Sequence, residues 1–589
     1  MLRKAKIIAT IGPASWEKDT IKELIKAGAN ACRLNFSHGD HKSHAATVKK
    51  VKQAREELGA PVALVLDTKG PEIRIKSFKE GEIELKKGQK FVLTAADVEG
   101  DQNIVSVTYP NLAGDLNVGS KILVDDGLVE LRVTNICDNG DIETVAINGG
   151  ILGNNKGINL PEAYVSLPSL TEQDIADIKF GITHGFDFVA ASFVRTAKDV
   201  LEIRQILDDN GGEQILIIAK IENREGVNNL ESILEVADAI MVARGDMGVE
   251  IPPEEVPLIQ KHMIKQCNSV GKPVITATQM LESMVNSPRP TRAEANDVAN
   301  AIFDGTDALM LSGETAKGAY PVEAVKMMDR IAREAEGQGT HTKASRRRSI
   351  NAMNITNAIT HAATSIATDL NASCIATVTK SGFTARMVAK FRPNCSAIAV
   401  ATTETLRRQM SLLWGITPAI TSMVHSDDAL FEVAAKAAVD AELVKNGDIM
   451  VIVAGVPVGV SGSTNLVKVH VVGDVLVKGK GNGKYVTSGK TVIFRPTEEV
   501  QDKKFYEGNI LIAATTNNNM MDYIRKSGAV IVGTDAGVDQ SHAEIACKAL
   551  KKPLIITDVN IVDMLHDNTT ITVDCEAGFV YNGVVTDKN

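Results

Sequence analysis

The sequence of 589 residues predicts an α/β protein built on a closed (β/α)8 barrel. Three observations predict it. Eight short apolar runs alternate with helical periodicity, polar residues gather at the carboxyl ends of those runs, and one Gly-rich segment of strand periodicity interrupts the alternation after the third. The runs span residues 6–12, 31–36, 62–68, 187–194, 215–223, 239–244, 273–280 and 308–315. Amphipathic stretches such as 17–28, 41–58, 254–270 and 291–304 separate most of them, several opened by Ser, Thr, Asp or Pro near the first turn. In this fold the active site lies where the strands end. Arg33, Asn35, Asp67, Lys220, Glu222, Asp246, Thr278 and Ser312 fall at or just beyond those ends, from six different strands.

The count of eight holds only if residues 70–168 are an insertion, which leaves 1–69 and 169–340 for the barrel. The insertion is rich in Gly and in alternating runs (EIELKKGQKFVLT, KILVDDGLVELRV) that read as hairpins and a small β-barrel. Hung over the strand-end rim, it is expected to act as a lid, hinged near Pro71 and Pro168, that excludes water when substrate binds. A polar linker, GQGTHTKASRRRSIN, leads to a second α/β region at 350–473, where CIATVTK, SAIAVA and IMVIVAG read as strands. There TKSGFTARMVAKF sets Thr379, Ser381, Gly382 and Thr384 at a strand-to-helix turn, whose backbone N–H groups and helix dipole suit phosphate. A second small-residue loop, GVSGSTN (Gly459 to Asn465), is placed to close over the same anion, so the region is expected to be regulatory. The stretch KGKGNGK (478–484) reads as the last boundary, before an extra α/β tail domain assigned to 476–589.

Two strings carry the chemistry. IAKIEN (containing Lys220 and Glu222) and MVARGDMG (containing Arg244, Gly245 and Asp246) end consecutive apolar runs. Lys220 and Glu222 are two apart and share a strand face, while Gly245 lets the backbone approach an anionic ligand just before Asp246. Two carboxylates beside an ammonium suit Mg²⁺ carrying substrate oxygens better than an all-protein cage. The KIE string alone reads equally well as a buried salt bridge. A net charge of -9 with no basic stripe argues against nucleic acid as a partner. Seven scattered cysteines without a CxxC pair favour a reducing, cytoplasmic setting and no zinc site. The basic-then-apolar start MLRKAKIIATIGP is too short for a signal peptide, and no apolar run is long enough to span a membrane.

Eight ordered motifs then give a resemblance. TIGPAS (Thr10 to Ser15), RLNFSHG (Arg33 to Gly39), LDTKGPEIR (Leu66 to Arg74), NNKGINLP (Asn154 to Pro161), AKIEN, ARGDMG, TATQMLESM (Thr276 to Met284) and LSGETAKG (Leu311 to Gly318) look like the pyruvate kinase family over residues 1–473. The tail is similar to the swivelling phosphohistidine domain of phosphoenolpyruvate-utilising enzymes, as in some bacterial members.

The resemblance implies phosphoryl transfer from phosphoenolpyruvate to ADP, giving pyruvate and ATP, the last step of glycolysis. It implies a homotetramer with Mg²⁺ (or Mn²⁺) and K⁺ as cofactors in a cytoplasmic setting; the anion expected at the regulatory turn is a sugar phosphate or AMP. By motif, Glu222 and Asp246 match the Mg²⁺ ligands, and Asn35, Ser37, Asp67 and the Thr68 carbonyl the K⁺ ligands. Lys220 and Arg33 match the groups on the phosphoryl and enolate oxygens. Gly245, Asp246 and Thr278 match the substrate-carboxylate cradle, and Thr278 or a relayed water supplies the enolate proton. His38, Arg74 and Lys156 match nucleotide contacts along with Asn35, Lys156 reaching in from the lid. Glu72 stands where potassium-dependent members have Glu and independent ones Lys.

In the tail, SHAEIACKALKKP sets His542 in the phosphohistidine's place with Pro553 at the matching distance. Gln540 replaces the usual Thr, however, and Glu544 adds negative charge where phosphate would sit. A structural or docking role is therefore expected for the tail, not a phosphocarrier role. Two rival readings, a phosphoenolpyruvate-dependent dikinase or lyase barrel and a non-catalytic phosphate carrier, leave LDTKGPEIR and the lid unexplained.

Overall fold

A computed structural model of the chain describes residues 2–161, 163, 165–337, 354–421, 427–455, 464–473, 475–495, 503–533 and 541–584. The chain divides into two compact units: 1–368, 375–437 and 453–467 form the first, and 369–374, 438–452 and 468–589 the second.

Eight strands of the first unit close into a parallel barrel. They are β1 (Lys6–Thr10), β2 (Ala31–Asn35), β3 (Ala63–Asp67), β4 (Phe188–Ala191), β5 (Leu216–Ile221), β6 (Ala239–Ala243), β7 (Val274–Ala277) and β8 (Ala308–Leu311). Each lies within one expected run. The period of two along a strand sorts their side chains. Ile8, Ala31, Val65, Phe188, Ala190, Ile218, Met241, Ile275 and Met310 pack into one cluster, which fills the barrel. Residues of the other parity, such as Ile7, Cys32, Leu64, Val189, Ile217 and Leu309, join a larger cluster with the surrounding helices. Among those helices, His41–Glu57 and Arg292–Asp304 start on capping boxes, Asp40 with Ser43 and Thr291 with Glu294.

The insertion after β3 folds as a seven-stranded sheet, whose first and last strands, Ile73–Arg74 and Ile104–Ser106, are joined by a bridge between Ile75 and Val107. Backbone hydrogen bonds from Lys76 N to Ser106 O (2.8 Å) and from Thr108 N to Arg74 O (2.8 Å) make that closure, giving a small barrel. Lys121–Val124 and Val129–Ile136 pair as the hairpin expected of KILVDDGLVELRV. EIELKKGQKFVLT is not a hairpin: Glu82–Leu85 pairs with Gly150–Gly153 and Lys90–Thr94 with Ile142–Ala146. Gly88 N donates to Ala146 O (2.7 Å), so the chain turns a corner there onto a distant strand.

Further along the first unit, strands β9 (Ser396–Ala401) and β10 (Ile416–Ile420) pair in parallel, and β10 was not among the expected runs. In the second unit, the tail forms an eight-stranded sheet with apolar clusters built around Ile512 and Ile571 and around Leu511 and Val530. KGKGNGK, read from composition as a boundary, is part of that sheet, with Lys480–Gly481 antiparallel to the strand Leu554–Thr557. Gly481 is required by close approach, since a Cβ there would run into the Cys575 carbonyl. The linker 338–353 and most of GVSGSTN lie outside the described residues.

Candidate active site

The inward parity of the barrel strands places the site. Continuing it from the apolar interior toward the carboxyl ends gives Thr10, Arg33 and Asn35, Asp67, Ser192, and Lys220 and Glu222. The alternation that fills the barrel with aliphatic side chains thus delivers a ring of polar ones at its mouth. Asn35 stands in register with Asp67 across β2 and β3, and Asp67 with Ala190 across β3 and β4.

Asp67 is the hub. It is 1% exposed, and Arg33 Nε donates to its Oδ2 at 2.6 Å while Lys220 Nζ donates to its Oδ1 at 3.0 Å. Burial works to raise the Asp67 carboxyl, but the adjoining Arg33 and Lys220 outweigh it and hold the group below the usual aspartate range. Arg33 Nη1 donates to Thr10 Oγ1 at 3.0 Å, which fixes the plane of the guanidinium. Lys220 has three ammonium protons and three acceptors: Asp67 Oδ1, Ser192 Oγ at 2.7 Å, and Glu222 Oε1 at 3.0 Å. Burial alone would lower this ammonium; the Asp67 and Glu222 carboxylates raise it above the ordinary lysine range, so it is charged at neutral pH.

Glu222 is 1% exposed and also accepts from Phe193 N at 2.6 Å. Burial, with the nearby Asp246 carboxylate, pushes its carboxyl up to about 7 against the pull of Lys220. A site that raises a carboxyl in this way favours an added cation. Among the described residues no cluster of three His, Cys, Asp or Glu could hold a metal alone. Two hard carboxylates that leave the remaining positions to substrate and water fit Mg²⁺.

Asp246 lies on α1 (Arg244–Glu250), a short helix that begins where β6 ends. Gly245 N donates to Thr278 Oγ1 at 2.7 Å. Thr278 has φ of 67° and Gln279 of 52°, left-handed values that are costly for a β-branched residue. Arg244 holds that turn: its Nη2 donates to the Thr278 carbonyl at 2.7 Å while its Nη1 pairs with Asp297 at 2.7 Å. Buried Glu314 accepts from Leu281 N (3.0 Å) and Ser312 N (2.7 Å), fastening the far side of the turn.

The other expected residues lie farther out. Ser37 and His38 are exposed; Ser37 N donates to Asn35 Oδ1 at 3.1 Å, and the His38 carbonyl bonds the His44 ring at 2.9 Å. Thr68 accepts at its carbonyl from Ser192 Oγ at 2.6 Å. Arg74 and Lys156 bond within the lid, Arg74 to Glu72 (2.8 Å from Nε) and to the Asn155 carbonyl, and Lys156 to Asp125 at 3.0 Å. Neither contacts the Asp67 cluster in this pose. The lid is fastened on one side by Asn159, donating to Glu250 at 3.0 Å, and near Pro168 by Arg195, donating to the carbonyls of Val165 (2.6 Å) and Leu167 (2.7 Å). Between lid and strand ends lies a cavity of about 260 Å³ lined by Glu72, Asn159, Phe193, Arg195 and Asp246.

In the 357–473 region, Thr379 Oγ1 accepts from Gly382 N at 3.0 Å, Ser381 is exposed, and the Thr384 hydroxyl meets that of Thr464 at 2.8 Å. The last contact ties the SGFT turn to the end of GVSGSTN. In the tail, His542 stands in the first turn of Ser541–Leu550, its Nδ1 bonded to Thr516 Oγ1 at 2.8 Å and its Nε2 to Asn518 Oδ1 at 3.2 Å; Gln540 lies outside the described residues.

Sequence reasoning quoted Thr10, Arg244 and Glu314 within motifs but gave them no role, and it did not single out Ser192. The parity of β1 and β4 was signal enough for Thr10 and Ser192; the others act through backbone atoms that no spacing reveals.

Family models match three segments: residues 2–325 match "Pyruvate kinase, barrel domain", 357–470 "Pyruvate kinase, alpha/beta domain" and 505–578 "PEP-utilising enzyme, mobile domain". The chain is 51% identical to a pyruvate kinase of Geobacillus stearothermophilus over 585 residues, 99% of both chains. It is 49% identical to one of Sporosarcina psychrophila and 48% identical to one of Bacillus licheniformis, each over 584 residues and 99% of both chains.

Proposed function

This chain belongs to the pyruvate kinase family, and on that premise we propose that it transfers the phosphoryl group of phosphoenolpyruvate to ADP, giving pyruvate and ATP. The observation that carries the reading is the buried Lys220 ammonium, held at 3.0, 2.7 and 3.0 Å by Asp67, Ser192 and Glu222 at the barrel mouth. Such a fixed charge stabilises negative charge that develops on the bridging oxygen as the phosphorus–oxygen bond breaks.

Glu222 and Asp246 would hold Mg²⁺ or Mn²⁺, which would supply neutralisation of the negative charge on the substrate's oxygens. Arg33 commits Nε to Asp67 and Nη1 to Thr10, and turns Nη2 to the phosphoryl oxygens. The Asp246 amide, with the Gly245 amide and the Thr278 hydroxyl once their bonds to one another and to the Ala277 carbonyl give way, binds the substrate carboxylate. Thr278, directly or through a water, delivers the proton to the enolate carbon. Asn35, Ser37, Asp67 and the Thr68 carbonyl are oxygen donors suited to K⁺, and Asn35, His38, Arg74 and Lys156 contact the nucleotide. For Lys156 this requires release from Asp125 as the lid closes.

The 350–473 region binds a sugar phosphate or AMP at Thr379, Ser381, Gly382 and Thr384 and biases a homotetramer. The tail serves as a docking or structural domain. A cytoplasmic location fits this chemistry, and no helix among the described residues is long and apolar enough to cross a membrane. The test is a lactate-dehydrogenase-coupled assay with phosphoenolpyruvate and ADP. Pyruvate formation that requires ADP and needs neither AMP nor added pyrophosphate or phosphate supports the kinase; dependence on AMP with either of these refutes it.

A further inference from the structure

Strand β4 sets Phe188 and Ala190 on its inward face, and the next residue of that parity, Ser192, one position beyond the strand's end, is a serine beside the Lys220 ammonium. Ser192 is 6% exposed. An ammonium has only donors, so the Ser192 oxygen must accept from Lys220 at 2.7 Å, and its single proton must go elsewhere. The Thr68 carbonyl at 2.6 Å takes it, the alternative Asp67 Oδ1 being at 3.5 Å. The contact is reciprocal, because Ser192 N donates to Thr68 Oγ1 at 3.1 Å. Two hydrogen bonds therefore clasp the ends of β3 and β4. The chain just beyond is packed without slack: a Cβ on Gly70 would come within 2.8 Å of Ser192 Cβ and of the Phe193 ring.

Of the three partners of Lys220, Asp67 and Glu222 are carboxylates whose attraction is weakly directional. Ser192 is neutral, is the closest, and has a lone pair aimed by where its proton goes. We propose that Ser192 is a positioning residue that couples the Thr68 carbonyl to the aim of the Lys220 ammonium, so that the monovalent-cation site and the phosphoryl-transfer site act as one unit. The proposal rests on the reading above that the Thr68 carbonyl is a K⁺ ligand and that Lys220 acts on the phosphoryl group. A cation on that carbonyl restrains the peptide that receives the Ser192 proton, and thereby the lone pair that faces Lys220.

The test compares Ser192→Ala, Ser192→Thr and Ser192→Cys with the unmodified chain by steady-state kinetics over a K⁺ titration. It also measures the melting shift on adding K⁺ in place of Na⁺, with no Mg²⁺ or substrate present. Loss of one hydrogen bond to a charged group corresponds to roughly a 10- to 100-fold change, so Ser192→Ala is expected to lose about that much kcat while the KM for phosphoenolpyruvate moves far less. Its half-activating K⁺ concentration rises several-fold, roughly what one neutral hydrogen bond supplies, and its K⁺-induced melting shift shrinks. Ser192→Cys, nearly isosteric but a weak hydrogen-bonding group, resembles Ser192→Ala; Ser192→Thr, which keeps the hydroxyl, recovers most of the rate. If the alanine variant does not fold, the cysteine variant decides by the same criteria. A K⁺ response and kcat in Ser192→Ala or Ser192→Cys equal to those of the unmodified chain overturn the proposal. So does equal loss in all three variants with an unchanged K⁺ melting shift, which is the signature of packing alone. An unmodified chain that ignores K⁺ in both measurements overturns the cation-site reading itself, and the coupling with it.

Discussion

Replacing Lys220 by Met keeps the length of the side chain and removes its charge. In the structure that charge has three partners and no solvent access of consequence, since Lys220 is 8% exposed. Deleting a single neutral oxyanion donor in a water-excluded site costs about 10² to 10³ in kcat. A full charge acting on both the bridging oxygen and the phosphoryl group in flight is worth more, so Lys220→Met is expected to lose about 10² to 10⁴ in kcat. Substrate and Mg²⁺ binding should change far less, because the lost interaction strengthens mainly in the transition state. A second consequence is thermodynamic. The substitution leaves Glu222 with Phe193 N as its bonded partner and Asp67 with Arg33 as its charged partner, and breaking a buried pair from one side costs about 3–5 kcal/mol. The variant should melt at a lower temperature. The assay is pyruvate formation at saturating phosphoenolpyruvate and ADP, with Mg²⁺ affinity measured separately by calorimetry. Turnover within about tenfold of the unmodified chain would be too small a loss for this role and would remove Lys220 from the chemistry.

Three further outcomes are expected. Glu72→Lys replaces a carboxylate paired with Arg74 by an ammonium at the mouth of the site; activation by K⁺ should be lost, and full activity of the unmodified chain in Na⁺-only buffer would contradict the premise. Thr384→Val removes the hydroxyl contact with Thr464 that ties the SGFT turn to the following loop, so any response to a sugar phosphate or AMP, about 1 to 3 kcal/mol of coupling, should vanish while basal turnover persists. Hyperbolic kinetics of the unmodified chain, indifferent to all such ligands, would make the region structural only. His542→Ala breaks, among the described residues, contacts with Thr516 and Asn518 and should leave turnover largely intact; acid-labile phosphate on His542 together with lost activity would assign it a carrier role.

The barrel was legible because its signals are local. A strand of five residues buried on both sides reads as an apolar run, and a capped amphipathic helix reads as its own period. The charged centre was legible for a related reason: Arg33, Asp67, Lys220 and Glu222 are residue types that a barrel interior does not otherwise admit. Thr10 and Ser192 hid because small hydroxyl residues at strand ends are common, and only the parity of their strands marks them as inward-facing. The lid's strand pairing was not legible. Glu82–Leu85 and Lys90–Thr94 look like the arms of a hairpin, but each pairs with a strand more than fifty residues on, and that choice is made by sheet closure and not by the intervening KKGQ. In KGKGNGK the glycines have a use that composition does not show: Gly479 and Gly481 lie against the Ile556 and Cys575 backbones inside a sheet, where composition alone reads a boundary.

On the proposed reading, transfer is direct between two bound substrates, with Lys220 at the transferred group and no phosphoenzyme between them. It is tested most directly by rapid-quench phosphorus counting on the purified chain with phosphoenolpyruvate, Mg²⁺ and K⁺, with and without ADP. Direct transfer gives one ATP and one pyruvate for each phosphoenolpyruvate consumed, no consumption without ADP, and no phosphoryl group on the protein at any time point. Consumption of phosphoenolpyruvate without ADP, accompanied by label on the protein that later passes to nucleotide, would contradict it.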